Sequence, residues 1–533
     1  MTSSVASALK ERTESAQETQ EETTVMTARR PGRRAVMVSA VLTQLMIVLD
    51  LTIIAIALPR MQDDLGMTVS QSPWTVTGYS LAFGGLVLFG GRLCAVVGIR
   101  RSYQVGLIGF GVASLAAGMA TSFPILLVAR VAQGCFGALL APTSQSLLNV
   151  TFTERTERER VFAIFGATGG LGAAVGLLVG GALTDWISWR WALYINILLA
   201  TAALLIGQRS LPPADQRDRG SRITDDLTGL VLGCGACFSA VYGLDRAQQT
   251  SWTSTSTVSW LALGGIAAVL FVVRERFASR PVLPLSMMAL PVRAASYATQ
   301  FVVGAAQMGA IIYLTYYMQN HFGYSPFKSG VVFLPMVLAL IATAIPAGRV
   351  IVPRLGARGT LPLGLAVLTG SFLIFSRMTT QSSYSQVALP GLIVFGIGLG
   401  LTMPVTFNSG TRGVDAKRTG LASAILSAAQ QIGGSFGVAL MTSYATQHAE
   451  DYVTEHSEEV RAAAMEAMMR AQTLPQSPAG KQIIEALKAQ LVDRAQIEAY
   501  AGGFTMMAWI LAGAGAALVA CGIAVNVRRR RTR

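Results

Sequence analysis

Residues 42–59 read LTQLMIVLDLTIIAIALP, and this stretch decides the fold. Extended back to residue 36 it becomes one apolar run, and about twenty apolar residues are what a helix needs to cross the hydrocarbon core of a bilayer. Only a helix or a closed barrel satisfies every backbone N–H and C=O in that medium. One residue interrupts the run, Asp50. Some fourteen such runs fill the chain, and only one other holds a charged side chain well inside: the fourth, with Arg130. On insertion scales an ionisable group at that depth costs about 2.5–3.5 kcal/mol, so where one is kept it marks an ion or substrate path by default. The expected fold class is all-α integral membrane, with Asp50 and Arg130 as the first place to look for function.

Composition supports this. Of 533 residues, 52% are hydrophobic and 13% charged, about half the charged share of soluble domains, which excludes a soluble enzyme of this size. The net charge of +14 raises the possibility of a nucleic-acid partner, and the distribution of charge argues against it. With the N-terminus placed in the cytoplasm, 31 of the 42 Lys and Arg fall in inner segments, ten fall outside and Arg130 lies within a span. That bias is the positive-inside rule and predicts both termini cytoplasmic, in a multi-pass protein of the cell membrane. The five cysteines lie in or at the ends of spans and the three histidines in expected outer loops, so no metal site is expected. No GxxxxGK[ST] phosphate loop is present, and no nucleotide cofactor is expected.

The expected spans are 36–58, 74–93, 103–121, 124–148, 161–184, 191–208, 224–244, 257–273, 295–318, 327–347, 360–377, 387–409, 419–444 and 503–526. Residues 1–34 read as a disordered cytoplasmic tail ending in Arg29, Arg30, Arg33 and Arg34, and 527–533 as a basic cytoplasmic tail. Between them the organisation expected is an N-terminal six-helix lobe over 35–208, linkers and an inserted helix pair over 209–294, and a C-terminal six-helix lobe over 295–526. The lobes read as copies: Gly91-Arg92-Leu93 with Gly98 recurs as Gly348-Arg349-Val350 with Gly356. The fifth span's glycines, Gly172 to Gly181, are echoed by Gly433, Gly434 and Gly437 in the thirteenth, as parallel duplicated halves require. The loop 445–502 holds nine acidic and five basic residues and two helix-compatible stretches, and reads as a solvated outer cap.

Leu49-Asp50-Leu51-Thr52-Ile53, Trp74 to Tyr79, Gly90-Gly91-Arg92-Leu93 through Arg101, Arg130-Val131-Ala132-Gln133-Gly134, Trp189-Arg190-Trp191 with Tyr194-Ile195-Asn196, and Gly396 to Gly400 together resemble the major facilitator superfamily. More narrowly they look like its fourteen-span drug:proton antiporter branch. The resemblance implies a proton-coupled exporter of amphipathic small molecules, such as antibiotics, energised by the proton gradient without a cofactor and acting as a monomer. It also implies a gating role for the cytoplasmic loop of Gly91, Arg92, Gly98, Arg100 and Arg101. Two positions depart from the family pattern. Ala95 stands where the loop's acid is placed, and Leu177 where a proline follows glycine in the fifth span. The same scaffold carrying a metabolite, lipid or osmolyte is the alternative. A membrane enzyme or sensor is remote, because it would need clustered ligands or a sizeable soluble domain.

Asp50 lies roughly 13 Å from the outer end of its span and Arg130 roughly 9 Å, at 1.5 Å per residue, so the two can sense one another. Burial and a nearby guanidinium act on a carboxyl's proton in opposite senses, which leaves an acid able to load and release it. A permanently paired structural salt bridge is the competing reading. Candidates for the substrate cavity are Gln133, Tyr313, Tyr317, Asn408, Gln430 and Gln431. Gly172, Gly176, Gly180 and Gly181 leave a side-chain-free stripe for close helix packing.

Overall fold

A computed structural model describes residues 30–68, 71, 74–211, 227–278, 288, 290–414, 419–470 and 477–531. Most of the expected N-terminal tail, the linker from 212 to 226 and most of the second linker lie outside the described residues, as does the side chain of Leu177. Among the described residues every regular element is helical.

The N-terminal half holds α1 (Arg30–Asp64), α2 (Trp74–Val97), α3 (Ile99–Gly118), α4 (Phe123–Thr151), α5 (Arg155–Trp186) and α6 (Trp189–Gly207). Next come α7 (Leu227–Gln249) and α8 (Thr255–Phe277). The C-terminal half holds α9 (Pro291–Tyr316), α10 (Pro326–Val332), α11 (Leu334–Pro346), α12 (Val352–Phe375), α13 (Leu389–Thr411), α14 (Thr419–Glu455), α15 (Ser457–Arg470) and α16 (Pro478–Arg531). Serine hydroxyls cap four of these helix starts by accepting backbone N–H groups: Ser188 from Arg190, Ser254 from Thr257, Ser325 from Lys328 and Ser477 from Gly480.

Packing repeats between the halves. Helix α1 lies on α5, α2 on α4, and α3 on α4 and α6; in the same order α9 lies on α14, α11 on α13, and α12 on α13 and α16. The halves meet along two seams, α2 and α4 against α14, and α5 against α10, α11 and α13. Helices α7 and α8 pack on one another, and α7 lies against both α2 and α14. There Cys237 joins Leu88 and Ala424 in a small buried cluster, with Cys234 and Ile432 against it. Val258, Ile266 and Val269 of α8 are exposed on the outside of the bundle, as suits a helix solvated by lipid.

Eleven described stretches are long and apolar enough to cross a membrane. One of them, Phe327–Phe375, contains both α11 and α12, with a sharp bend at Gly356, whose φ of 64° and ψ of 175° only glycine adopts readily. The more polar α3 and α5 are embedded in the same bundle. The arrangement is compatible with fourteen spans.

Glycine lets α5 seat on α1. A Cβ on Gly172 would stand 3.0 Å from Val48 Cβ, one on Gly180 would stand 2.9 Å from Ile53 Cγ1, and one on Gly176 would collide with Thr52 Oγ1. In the 445–502 stretch both helix-compatible segments are helical: α15 covers 458–470 and α16, from Pro478, covers 481–498, while α14 runs on to Glu455 beyond its expected end.

Candidate functional site

Asp50 of α1 and Arg130 of α4 meet inside the N-terminal half, Arg130 Nη1 donating to Asp50 Oδ2 at 2.6 Å with 0% exposure of either side chain. The carboxylate accepts two further bonds at Oδ1, from Gln133 Nε2 at 3.1 Å and from Asn196 Nδ2 of α6 at 2.6 Å. Gln133 follows Arg130 by three positions, which places both on one face of α4. It accepts from Arg130 Nη1 at 2.9 Å and donates to Ser114 Oγ of α3 at 2.7 Å. Helix α2 completes the cradle: the Thr75 carbonyl accepts from Arg130 Nε at 3.1 Å, and the Tyr79 ring lies 4.6 Å from the guanidinium carbon.

Five helices of one half therefore converge on a single buried ion pair. Desolvation makes an isolated buried pair barely worthwhile, and it holds where further hydrogen bonds satisfy both partners. Both Asp50 oxygens have donors here. Arg130 Nη2, Asn196 Oδ1, Thr75 Oγ1 and Tyr79 Oη are buried with no protein partner among the described residues, so the cluster retains hydrogen-bonding capacity.

The expected cavity residues do not converge in the same way. Gln133 belongs to the Asp50 cluster. Asn408 lies on the seam between the halves and accepts from Arg158 Nε of α5 at 3.0 Å. Tyr313 donates to Thr442 Oγ1 at 2.9 Å and packs edge-on to Tyr500, whereas Tyr317 donates to the Thr379 carbonyl at 3.2 Å. Both phenols are thus engaged within the C-terminal half. The Gln430 backbone closes on Gly304, and Gln431 lies against Gly84 at the α2–α14 seam. Asn196, Ser114, Thr75 and Tyr79 were not singled out from sequence as site residues, although Asn196, Thr75 and Tyr79 fall within the family-like segments.

The loop between α2 and α3 turns at Gly98, with φ 97°, and Arg100 Nη2 donates to the Gln208 carbonyl at 3.3 Å. Nearby, Arg33 and Glu157 pair at 3.0 Å. On this basic face the halves are bolted together by Arg158 to Asn408, by Thr411 Oγ1 to Asn149 Oδ1 at 3.2 Å, and by Gln145 Nε2 to Ser427 Oγ at 3.2 Å. Phe165 meets Phe407 edge-on beneath them. At the opposite face Asp64 accepts from Arg190 Nη1 and from the Trp189 indole. The Arg190 guanidinium, and then the indole, hold the Asp64 carboxyl below its usual range.

Residues 40–438 match the Major Facilitator Superfamily. The chain is 40% identical over 419 residues to the puromycin resistance protein pur8 of Streptomyces alboniger, covering 78% of this chain and 82% of that one. It is 33% identical over 406 residues to the cephamycin export protein CmcT of Amycolatopsis lactamdurans, covering 76% and 83%. It is 32% identical over 397 residues to the tetracenomycin C resistance and export protein of Streptomyces glaucescens, covering 74% and 73%. Among solved structures, the human organic anion transporter MFSD10 (TETRAN) shares the fold, with a TM-score of 0.55 at 13% identity over 90% of this chain and 99% of that one. With a family match across most of its length and duplicated halves packed in the same order, this chain is a member of the Major Facilitator Superfamily.

Proposed function

We propose that the chain is a proton-coupled antiporter that exports amphipathic, largely hydrophobic small molecules of the antibiotic class. The relatives support the cargo class, since those named above confer resistance to, or export, puromycin, cephamycin and tetracenomycin. The single observation that carries the mechanism is the Asp50 carboxylate, buried and ringed by three donors from α4 and α6. Three of the carboxylate's four lone-pair sites are taken by donors that favour its charged form, so displacement of Arg130, Gln133 or Asn196 favours loading a proton. Movement of the two halves about their seams supplies that displacement, and proton uptake and lobe motion become one event.

In this reading Asp50 and Arg130 couple protons, and the 35–208 and 295–526 lobes rock about a central path. The loop of Arg92, Arg100 and Arg101 lies at the cytoplasmic gate. Both termini are cytoplasmic in the plasma membrane, the monomer is the working unit, and the proton gradient supplies the energy in place of a cofactor. The test is export of puromycin and a panel of lipophilic antibiotics from proteoliposomes under an imposed pH gradient. Flux should follow the gradient and vanish with a protonophore, and Asp50→Asn should insert and fold yet lose gradient-driven flux. Flux that ignores the gradient would sink the proposal.

A further inference from the structure

The inserted helix α7 carries a second, half-buried acid against the N-terminal half. Asp245 Oδ1 accepts from Thr77 Oγ1 of α2 at 3.0 Å, and its Oδ2 accepts from Gln249 Nε2 at 2.8 Å. Thr77 lies midway between the two residues with which α2 holds Arg130, namely Thr75 through its carbonyl and Tyr79 through its ring. At about 100° per residue, Thr75 and Tyr79 lie close to one face of the helix and Thr77 roughly opposite. One side of this turn therefore grips Arg130 while the other is held by Asp245. Trp74, on the same turn, packs against Tyr242 of α7 at 6.3 Å between ring centroids.

The inserted pair also reaches the other half. Trp252, between α7 and α8, donates from Nε1 to Ser443 Oγ of α14 at 2.6 Å, and its ring packs on Phe436. The pair spans α2 and α14, so a change in their spacing loads the bond between Thr77 and Asp245.

We propose that Asp245 is a positioning residue for proton coupling: through Thr77 it fixes the α2 turn that seats Arg130 against Asp50. The proposal rests on the proton-coupled reading above. The groups facing Asp245 are Thr77 and Trp74 from α2, Trp260 from α8 by way of Tyr242, and Tyr242, Arg246 and Gln249 on its own helix. Arg246 is turned to the Tyr242 hydroxyl, to which Nε and Nη2 donate at 3.1 and 2.9 Å. From α14 the polar side chains on this seam are uncharged: Gln431 against Gly84 of α2, and Ser443 bonded to Trp252. Around Asp50 the charged or titratable partners are Arg130 and Tyr79, with neutral Gln133, Ser114 and Asn196.

The test needs no cargo. The full chain in detergent is titrated while the infrared band of a protonated carboxyl is followed, and the band that Asp50→Asn removes belongs to Asp50. Asp245→Ala and Thr77→Val should each move the midpoint of that band in the same direction, by about one pH unit, a tenfold change in proton affinity. The double variant should move it no further, because both remove one bond. Asp245→Asn, whose amide oxygen still accepts from Thr77, should restore at least half of the shift. Thr77→Val is nearly isosteric and guards against misfolding of the Asp245 variants. A midpoint unmoved by Asp245→Ala and Thr77→Val overturns the positioning role while leaving Asp50 as the proton carrier. The absence of any band removed by Asp50→Asn would instead bring down the proton-coupled reading, and the positioning role with it.

Discussion

Arg158, one turn into α5, donates to Asn408 near the end of α13 at 3.0 Å, and so joins the two halves on the basic face. This is the face on which the family pattern places a loop acid that here is Ala95. A bolt made from Arg158, Asn149 and Gln145 on one side and Asn408, Thr411 and Ser427 on the other joins the seam without that acid.

Removing the bolt should open the basic face. A hydrogen bond to a charged group contributes about 1.5–3 kcal/mol when buried, and partial exposure of Arg158 brings this to about 1 kcal/mol. Arg158→Ala or Asn408→Ala should therefore raise the open population about fivefold. The measure is the labelling rate of Ser427→Cys by a membrane-impermeant maleimide, in a chain whose five native cysteines are replaced. An unchanged rate would show that the seam does not depend on this contact.

The Asp50 and Arg130 pair predicts a stability asymmetry. Arg130→Met leaves a buried carboxylate with only amide donors and should lower unfolding stability by about 3–5 kcal/mol. The double variant Asp50→Leu with Arg130→Met removes both charges and should regain most of that loss while remaining inactive. Thermal unfolding in detergent reads the first effect and proteoliposome flux the second. If the double variant is as unstable as Arg130→Met alone, the loss comes from packing and not from an orphaned charge.

What could be read in the sequence follows from how strongly each residue type is penalised in lipid. Asp50 and Arg130 stood out because charge inside an apolar run is costly. Ser114 and Thr75 did not, since a hydroxyl can bond its own helix and carries little penalty there. Gln133 carried a usable signal in its three-residue spacing from Arg130, yet its polarity alone suggested a cavity. Asp245 lies one residue past the expected end of its span, whereas α7 runs on to Gln249, so the expected boundary concealed a half-buried acid. The duplication was legible in Gly91-Arg92 and Gly348-Arg349. The contact of Arg158 with Asn408 was not, because it joins residues 250 positions apart.

Acid should test the clamp at the opposite face. Asp64, held below its usual value by Arg190 and then by Trp189, has a lowered folded-state pKa. Its contribution is thus present above the unfolded value of about 4 and is lost as the pH falls through the folded value. The group is half exposed, so the contribution should stay below about 1 kcal/mol. Asp64→Asn should melt slightly below the unsubstituted chain at pH 7, and the gap should narrow progressively as the pH falls below about 4. A gap that does not narrow with acid would assign the effect to something other than the carboxylate's charge.

The seat of α5 on α1 offers the sharpest packing test, because the clash has a single named partner. A Cβ at Gly176 would run into Thr52 Oγ1, with Thr52 Cβ at 3.0 Å and the Leu49 carbonyl oxygen at 3.3 Å. Thr52 bonds only backward to the Val48 and Leu49 carbonyls of its own helix, so its hydroxyl is dispensable to the contact. Gly176→Ala alone should destabilise by about 1–3 kcal/mol, the usual range for overpacking. Thr52→Ala alone should be nearly neutral, and adding it to Gly176→Ala should recover more than half of the loss, since it removes the clashing atom. Because α1 also carries Asp50 two residues earlier, Gly176→Ala should disturb gradient-driven flux along with stability. The paired variant should restore both, and recovery of stability without flux would show that α1 and α5 must slide during exchange as well as fit at rest.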